Sequence, residues 1–245
     1  LPIYGAHKGV RQLERRGFRD VEPIKQAVAD KIEVARDCRA GLTGQGSQGA
    51  APQPLRQALS EAVGERSYVL LVLGFFTCGF QLAFITVHMP AYLIDRGLSA
   101  EVGGWTIAVI GLFNIIGSLT SGWLGNYMPK RYILSVIYFG RALAILAFIM
   151  FPVTPLSAIL FGAVMGFFWL STVAPTNGII ALLFGTRWLA TLAGLAFFSH
   201  QVGGFLGVWL GGVVSEASGS YEIVWWLSVA LGLASAAINL PIEER

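Results

Sequence analysis

The stretch GWLGNYMPKR, residues 122–131, joins an apolar run to a proline and two adjacent cations. Long apolar runs lie on both sides of it. Proline is tolerated in the first turn of a helix, where its missing N–H has no helical partner in any case. Lys and Arg are enriched in the cytoplasmic loops of membrane proteins. The stretch therefore predicts a tight turn at a membrane surface, with Pro129 starting the next helix and Gly122 at a close helix contact.

Composition extends this prediction to most of the chain. Of its 245 residues, 55% are hydrophobic and 13% are charged, whereas an average soluble domain is about 25% charged. Residues 1–66 hold 11 of the 17 Lys and Arg residues and 8 of the 14 Asp and Glu residues. Because the cations have a membrane explanation, nucleic acid is not an expected partner. The two cysteines, Cys38 and Cys78, fall in different regions, which argues against a disulfide framework.

Six apolar stretches are long enough to cross a membrane. A helix rises about 1.5 Å per residue, so roughly 20 residues cross about 30 Å of hydrocarbon. The stretches are continuously apolar and lack the alternation of barrel strands. They run over about residues 68–93, 103–124, 131–152, 156–184, 188–214 and 221–241. We expect an all-α integral membrane fold, with a polar cytoplasmic segment at 1–66, a flexible linker near 41–54 and six transmembrane helices within 67–245.

The distribution of cations predicts the orientation. The polar segment and the loops that carry Lys130, Arg131 and Arg187 fall on one side of the membrane, and the loops on the other side carry Arg96. The positive-inside rule assigns the cation-rich side to the cytoplasm. We expect a multi-pass protein of the cell membrane with both termini in the cytoplasm.

Residues 122–131 also resemble the loop motif of the major facilitator superfamily, Gly-x-x-x-Asp-Arg-x-Gly-basic-basic, which joins the second and third helices of each six-helix half. Gly122, Lys130 and Arg131 match the motif. The departures from it are Asn126 for the aspartate, Tyr127 for the arginine and Pro129 for the second glycine. In the family the aspartate belongs to a charge network that closes the cytoplasmic side. Asn126 can cap a turn but carries no charge.

A second stretch, HQVGGFLGVWLGGVVSEASGSY at residues 200–221, resembles the fifth-to-sixth helix region of C-terminal halves in the monocarboxylate and oxalate–formate antiporter branch. The resemblance covers roughly residues 55–245. It implies that the six spans are helices seven to twelve of a twelve-helix fold and that residues 1–66 are its central loop. The implied partners are the lipid bilayer, a small solute, with an organic anion favoured, and either a missing N-terminal half or a second copy.

Three glycines in the second stretch repeat every four residues: Gly203, Gly207 and Gly211. Small residues at this spacing form a groove on one helix face that lets another helix approach closely. The pattern predicts a helix-packing site.

Polar residues inside spans are expensive and are the candidates for a substrate or ion pathway. Those singled out are Gln81, His88, Asn114, Arg141, Trp169, Thr176 and His200. Thr77, Gln81, His88 and Tyr92 form one stripe on the first span, within about 60° of arc. Such a stripe indicates either a wet cavity or hydrogen bonds to neighbouring helices. Without a companion half it is expected to face lipid.

The fourth predicted span contains Pro175, so the stretch APTNG at residues 174–178 predicts a bend that frees backbone carbonyls. Trp169 lies near the middle of this span, where a wall of the substrate path and bulk packing are both possible roles. His200 lies beside the glycine face of the fifth span, and both packing and a proton relay are open to it.

Arg141 lies ten residues into the third span, too deep to reach the interface easily. On insertion scales, the free-energy cost of placing an arginine at this depth in the membrane is roughly 2.5–3.5 kcal/mol. No Asp or Glu lies in the core of any predicted span. Two interpretations stay open: an anionic substrate pairs with Arg141, or carbonyls and hydroxyls of adjacent helices satisfy it.

Three classes of function compete. A gradient-driven transporter, a symporter or antiporter working by alternating access, is favoured. A six-helix permease subunit of an ATP-driven importer fits the span count, but a Glu-Ala-Ala-type coupling loop is missing from the sequence. A membrane enzyme is less favoured, because the sequence has no Gly-x-Ser-x-Gly, His-Glu-x-x-His or intramembrane Asp pair. We therefore expect no enzyme activity, catalytic residue, metal or cofactor.

Overall fold

The computed structural model describes residues 54–244, and all regular structure in this range is helical. The helices are α1 Leu55–Gly64, α2 Arg66–Asp95, α3 Ala100–Leu124, α4 Lys130–Met150, α5 Pro155–Phe168, α6 Val173–Phe184, α7 Leu189–Ser218 and α8 Glu222–Asn239. Most of the predicted polar segment and of its linker lies outside the described residues.

Six helical segments are long and apolar enough to cross a membrane, which confirms the predicted fold class. The spans are α2, α3, α4, α5 with α6, α7 and α8, and they are numbered first to sixth in this order. The first span extends from residue 66 to 95, a few residues beyond the prediction at each end. Pro90, in the second half of this helix, does not end it.

The spans associate mainly in three pairs: α2 with α7, α3 with α5, and α4 with α8. The first span is the centre of the unit, because α2 also contacts α3, α6 and α8. In their most apolar stretches, 61% of the residues of α2 are buried, against 22% for α3 and 17% for α7. The second and fifth spans therefore present long faces to the outside of this six-helix unit.

Glycines allow α7 to lie directly on the backbone of α2. A Cβ atom at Gly203 would lie 3.1 Å from the backbone nitrogen of Phe80, and one at Gly207 would lie 3.2 Å from its Cα. A Cβ at Gly211 would lie 2.5 Å from Nε2 of His88. The three glycines singled out from the sequence thus share the face of α7 that meets α2.

A second glycine contact joins α3 to α5. A Cβ at Gly166 would lie 2.6 Å from the carbonyl oxygen of Ile110, and one at Gly162 would lie 2.9 Å from that of Thr106. Gly117 of α3 faces the carbonyl of Phe167. This contact has a weak signal in the sequence, because its glycines come from two helices and only Gly162 and Gly166 have the spacing of four.

The six-helix unit has two ends, each named here after one of its residues. The Lys130 end comprises α1, the loops at 125–129 and 185–188, and residues 240–244. The Ser99 end comprises the loops at 96–99, 151–154 and 219–221. At the Ser99 end Thr154 caps α5: its Oγ1 accepts from the backbone nitrogen of Ser157 at 3.1 Å, and its own backbone nitrogen donates to Oγ of Ser157 at 2.8 Å.

The core near the Ser99 end is aromatic. The indole of Trp225 lies 4.9 Å from the ring of Phe84, 5.4 Å from that of Tyr92 and 5.8 Å from that of Phe148, between centroids. A separate core cluster near the Lys130 end includes Tyr68. The polar groups described next lie between these two clusters.

Candidate functional site

The fourth span is interrupted at residues 169–172, near its middle. Helix α5 ends at Phe168 and α6 begins at Val173. The interruption lies one turn before the APTNG stretch, so the predicted position of the bend is wrong. Pro175 is instead in the first turn of α6, where its missing N–H leaves no helical bond unmade within α6.

Every backbone carbonyl from residue 166 to residue 172 nevertheless accepts a hydrogen bond. Backbone amides serve three of them: Trp169 donates to Gly166 at 3.0 Å, Val173 to Leu170 at 3.0 Å and Thr176 to Thr172 at 3.1 Å. Side chains serve the other four. A buried, unpaired carbonyl at membrane depth costs several kcal/mol, so these side chains make the interruption possible.

Arg141 of α4 provides the largest share of these bonds. Its Nε donates to the carbonyl of Phe168 at 3.0 Å and its Nη2 to the same oxygen at 2.5 Å. Nη2 also donates to the carbonyl of Trp169. The side chain is fully buried, and its Cζ lies 5.6 Å from the ring centroid of Tyr138. Carbonyls of an adjacent helix therefore satisfy the guanidinium, as in the second interpretation of the sequence, and only Nη1 lacks a partner among residues 54–244.

Two side chains of α3 bind the next two residues of the interruption. Oδ1 of Asn114 accepts from the backbone nitrogen of Leu170 at 3.0 Å. Oγ of Ser121 donates to the carbonyl of Ser171 at 2.5 Å. Ser171 is four residues before Pro175, so its carbonyl is the one that the proline leaves without a helical N–H. The hydroxyl of Ser171 donates in turn to the carbonyl of Phe167 at 2.6 Å.

Cys78 of α2 completes the ring of contacts around the interruption. Its Sγ lies 3.4 Å from Oγ1 of Thr172. The thiol is fully buried. Sequence reasoning treated Cys78 only as a question of disulfide bonding. A usable signal was present, because Cys78 stands next to Thr77 and three residues before Gln81 in the polar stripe.

The polar stripe of α2 points into the six-helix unit. Oγ1 of Thr77 accepts from Oγ of Ser235 at 2.7 Å, and Nε2 of Gln81 donates to the carbonyl of Ser228 at 2.9 Å. Thr77 and Gln81 are at most 2% exposed. The expectation that this stripe faces lipid without a companion half is wrong, because α8 and α7 supply its hydrogen-bond partners.

His88 belongs to the same stripe but lies nearer the Ser99 end. Its Nε2 is 2.9 Å from the carbonyl of Val208 on α7, and the ring is half-buried against the rings of Phe84 and Tyr221. His88 thus bonds to α7, whereas Gln81 bonds to α8.

The remaining pathway candidates are Trp169, Thr176 and His200. Trp169 is half-buried and packs against both core clusters. Thr176 is buried, and its hydroxyl lacks a partner among the described residues. The His200 ring lies between those of Phe75 and Phe197, at centroid distances of 5.0 and 5.2 Å. The structure therefore brings Asn114, Arg141 and Trp169 together, while Gln81 and His88 bond elsewhere.

The loop motif anchors residues 240–244 at the Lys130 end. Nη1 of Arg131 donates to the carbonyl of Ile242 at 3.1 Å, and its backbone nitrogen donates to Oε1 of Glu244 at 2.6 Å. The stem of Lys130 lies on Gly178 of α6, where a Cβ would come within 2.7 Å of the lysine Cδ.

The other two motif residues make weaker contacts. Nδ2 of Asn126 lies 3.5 Å from the carbonyl of Gly122. Gly122 itself is exposed, and a Cβ there would meet open space among the described residues. The close helix contact expected at Gly122 is therefore wrong.

Comparison of the sequence with known proteins identifies its family. Residues 18–208 match the Major Facilitator Superfamily. The chain is 30% identical over 177 residues to the "Uncharacterized MFS-type transporter YcxA" of Bacillus subtilis (strain 168), covering 70% of this chain and 43% of that protein. It is 25% identical over 160 residues to monocarboxylate transporter 13 of Rattus norvegicus, covering 64% and 37%. It is also 25% identical over 181 residues to monocarboxylate transporter 12 of Homo sapiens, covering 68% and 34%.

The chain spans less than half the length of these curated relatives. The family match covers most of the chain, and it includes the first four spans and most of the fifth. The six apolar helices and the similarity of the chain to a transporter indicate a multi-pass membrane protein. The chain belongs to the major facilitator superfamily.

Proposed function

We propose that the chain is the C-terminal six-helix half of a secondary active transporter that carries a small organic anion. The similarity to monocarboxylate transporters carries this proposal. Transporters of this kind work largely by rocking one six-helix unit against another around a site near the midplane. The energy comes from an ion gradient or from exchange, in symport or antiport.

The unevenly buried spans support a second six-helix unit as the partner. The second and fifth spans leave most of their surface uncovered within this unit. The exposed face of α7 carries Phe198, Gln201 and Phe205 side by side. A glutamine at this depth is costly in lipid, so this face fits a protein-lined cavity better than a lipid boundary.

In this proposal the protein lies in the plasma membrane, and its Lys130 end faces the cytoplasm. The cation distribution supports this orientation, because Lys130, Arg131 and Arg187 all lie at that end. The contacts of Arg131 with residues 242 and 244 would then lie on the cytoplasmic surface.

Counterflow in proteoliposomes tests the substrate class. The chain is co-reconstituted with a companion six-helix half. Uptake of labelled pyruvate is then measured in vesicles in which either an inward proton gradient or a carboxylate loaded inside provides the driving force. We expect saturable uptake that other small carboxylates compete for and that ATP does not stimulate. Uptake that no carboxylate competes for, or that requires ATP, contradicts the proposal.

A further inference from the structure

The interruption of the fourth span depends on side chains that come from other helices. Arg141 of α4, Asn114 and Ser121 of α3 and Cys78 of α2 each bond to it. Arg141 differs from the others because it carries a charge, binds two carbonyls and is fully buried. These carbonyls lie at the C-terminal end of α5, where the helix dipole favours a cation.

The contact of Arg141 is specific to the broken form of the span. In a continuous helix the carbonyls of Phe168 and Trp169 accept from the amides four residues later, those of Thr172 and Val173. In the structure these amides are not bonded in this way, since Val173 donates to Leu170 instead. In a straight fourth span these carbonyls would point along the helix axis toward those amides, so the guanidinium would have to share them and would meet them less directly. The bonds of Arg141 favour the broken form over the straight one, and a differential interaction of this kind can hold a conformation.

The break determines where α6 lies at the Lys130 end. Helix α6 packs against α4 and α7, and its Ile179 and Ile180 are fully buried in the core cluster of that end. Gly178 receives the stem of Lys130 from the loop motif. The direction in which α6 leaves the break therefore decides how this end of the unit is closed.

We infer that Arg141 is a positioning residue for transport: its guanidinium holds the fourth span in the broken form that seats α6 at the Lys130 end. This inference rests on the proposed function for its effect on flux, and on the contacts above for its effect on structure. Arg141 acts through the backbone of residues 168–169 and does not contact the substrate.

A distance across the break tests the structural part. Spin labels are placed at Leu160 on α5 and at Leu182 on α6, which are both exposed. A continuous helix separates these positions by roughly 33 Å, from the rise of 1.5 Å per residue. In the Arg141→Gln variant we expect the distance distribution to broaden or to shift toward that of the continuous helix. Arg141→Lys, which keeps the charge but not the two-pronged geometry, gives a smaller change.

Arg96→Gln is the matched control, because Arg96 is exposed at the Ser99 end and stacks on Tyr92. It leaves the distance unchanged. If the Gln variant does not insert, the Lys variant and Ser121→Ala decide the matter, since each removes part of the network. An unchanged distance in the inserted variants overturns the inference, whether or not wild-type transport is detected.

Flux kinetics test the functional part. We expect Arg141→Gln to lower the maximal flux about tenfold or more, with the KM for carboxylate close to that of the wild type. A raised KM with an unchanged distance shows direct substrate contact and overturns the positioning role. A shifted distance with unchanged flux overturns it as well. Failure of the proposed function is distinguishable, because it removes wild-type flux and leaves the distance measurement intact.

Discussion

Arg141 is a cation held inside a helical unit by backbone carbonyls, with no acid in the middle of any span. An arginine at the centre of a span costs roughly 2.5–3.5 kcal/mol on insertion scales. Hydrogen bonds to a charged group contribute about 1.5–3 kcal/mol each. Bonds to two carbonyls therefore offset the cost of the buried charge, and the same bonds satisfy acceptors that the broken helix leaves open.

The first prediction concerns stability at this residue. Arg141→Met removes the charge and keeps most of the volume, but leaves the carbonyls of Phe168 and Trp169 without their donors. Each unsatisfied buried acceptor costs about 1–3 kcal/mol. We expect the variant to unfold at a lower denaturant concentration in detergent micelles, followed by far-UV circular dichroism. A variant as stable as the wild type would show that the carbonyls find other donors.

Ser121 provides a milder test at the same scale. Ser121→Ala removes the hydroxyl that donates to the carbonyl of Ser171. The expected loss of stability is about 1–3 kcal/mol, for one unsatisfied acceptor. Thr120→Ala is the control, because the Thr120 hydroxyl bonds only within its own helix, to Ile116. Equal stabilities of the two variants in the same denaturant titration would contradict the role given to Ser121.

At the scale of elements, close contacts between helices explain which glycines matter. Gly207 lies against the backbone of Phe80, whereas a Cβ at Gly212 would meet open space among the described residues. We expect Gly207→Ala to push α7 away from α2 and to lower the apparent Tm. Gly212→Ala should leave the Tm unchanged or raise it slightly, because alanine is the better helix former. Fluorescence-detected thermal unfolding measures both, and a smaller effect at position 207 than at position 212 would refute the assigned contact.

The individual helices also show how much of the structure can be predicted from the sequence. Apolar runs predict the six spans, because span length follows from bilayer thickness alone. The repeat of Gly203, Gly207 and Gly211 predicts one packing face. The position of the break has no local signal of this kind. Pro175 lies close to it, but Arg141 and Asn114, which hold the broken form, come from other helices.

The polar stripe of α2 illustrates the other limit. Periodicity shows that Thr77 and Gln81 share a face, and this is a property of one helix. Whether the face meets lipid, water or protein depends on Ser235 and Ser228, which lie about 150 residues later in the chain. Only the tertiary arrangement distinguishes the alternatives that the sequence leaves open.

At the scale of the whole molecule, the cation distribution predicts the orientation. Met128 lies at the Lys130 end and Ser218 at the Ser99 end, and both are exposed. A single cysteine at position 218 should react with an impermeant maleimide added to intact cells, and one at position 128 should react only after the membrane is opened. Cys38 and Cys78 are replaced beforehand. Labelling of position 128 alone from outside would invert the proposed orientation.

The second prediction at this scale is that transport requires a companion six-helix half. One six-helix unit provides one wall of a central cavity, and the chain spans less than half of its relatives. We expect the purified chain alone to produce no saturable flux in liposomes and to gain it with a companion half. Because the stripe around Gln81 is enclosed, the isolated chain should still insert as a folded unit. Saturable, substrate-selective flux from the chain alone would favour a homodimer.

The contact between Arg141 and residue 168 also has a consequence for biosynthesis. Arg141 leaves the ribosome 27 residues ahead of Phe168, an interval of roughly 1–5 seconds at the usual rate of translation. During this time the cation has none of the carbonyls that later surround it, which makes the entry of the third span into lipid less favourable by roughly 2.5–3.5 kcal/mol. The loop that joins it to the fourth span is only residues 151–154. We therefore expect the two spans to enter the bilayer more readily together, as a hairpin, than one after the other.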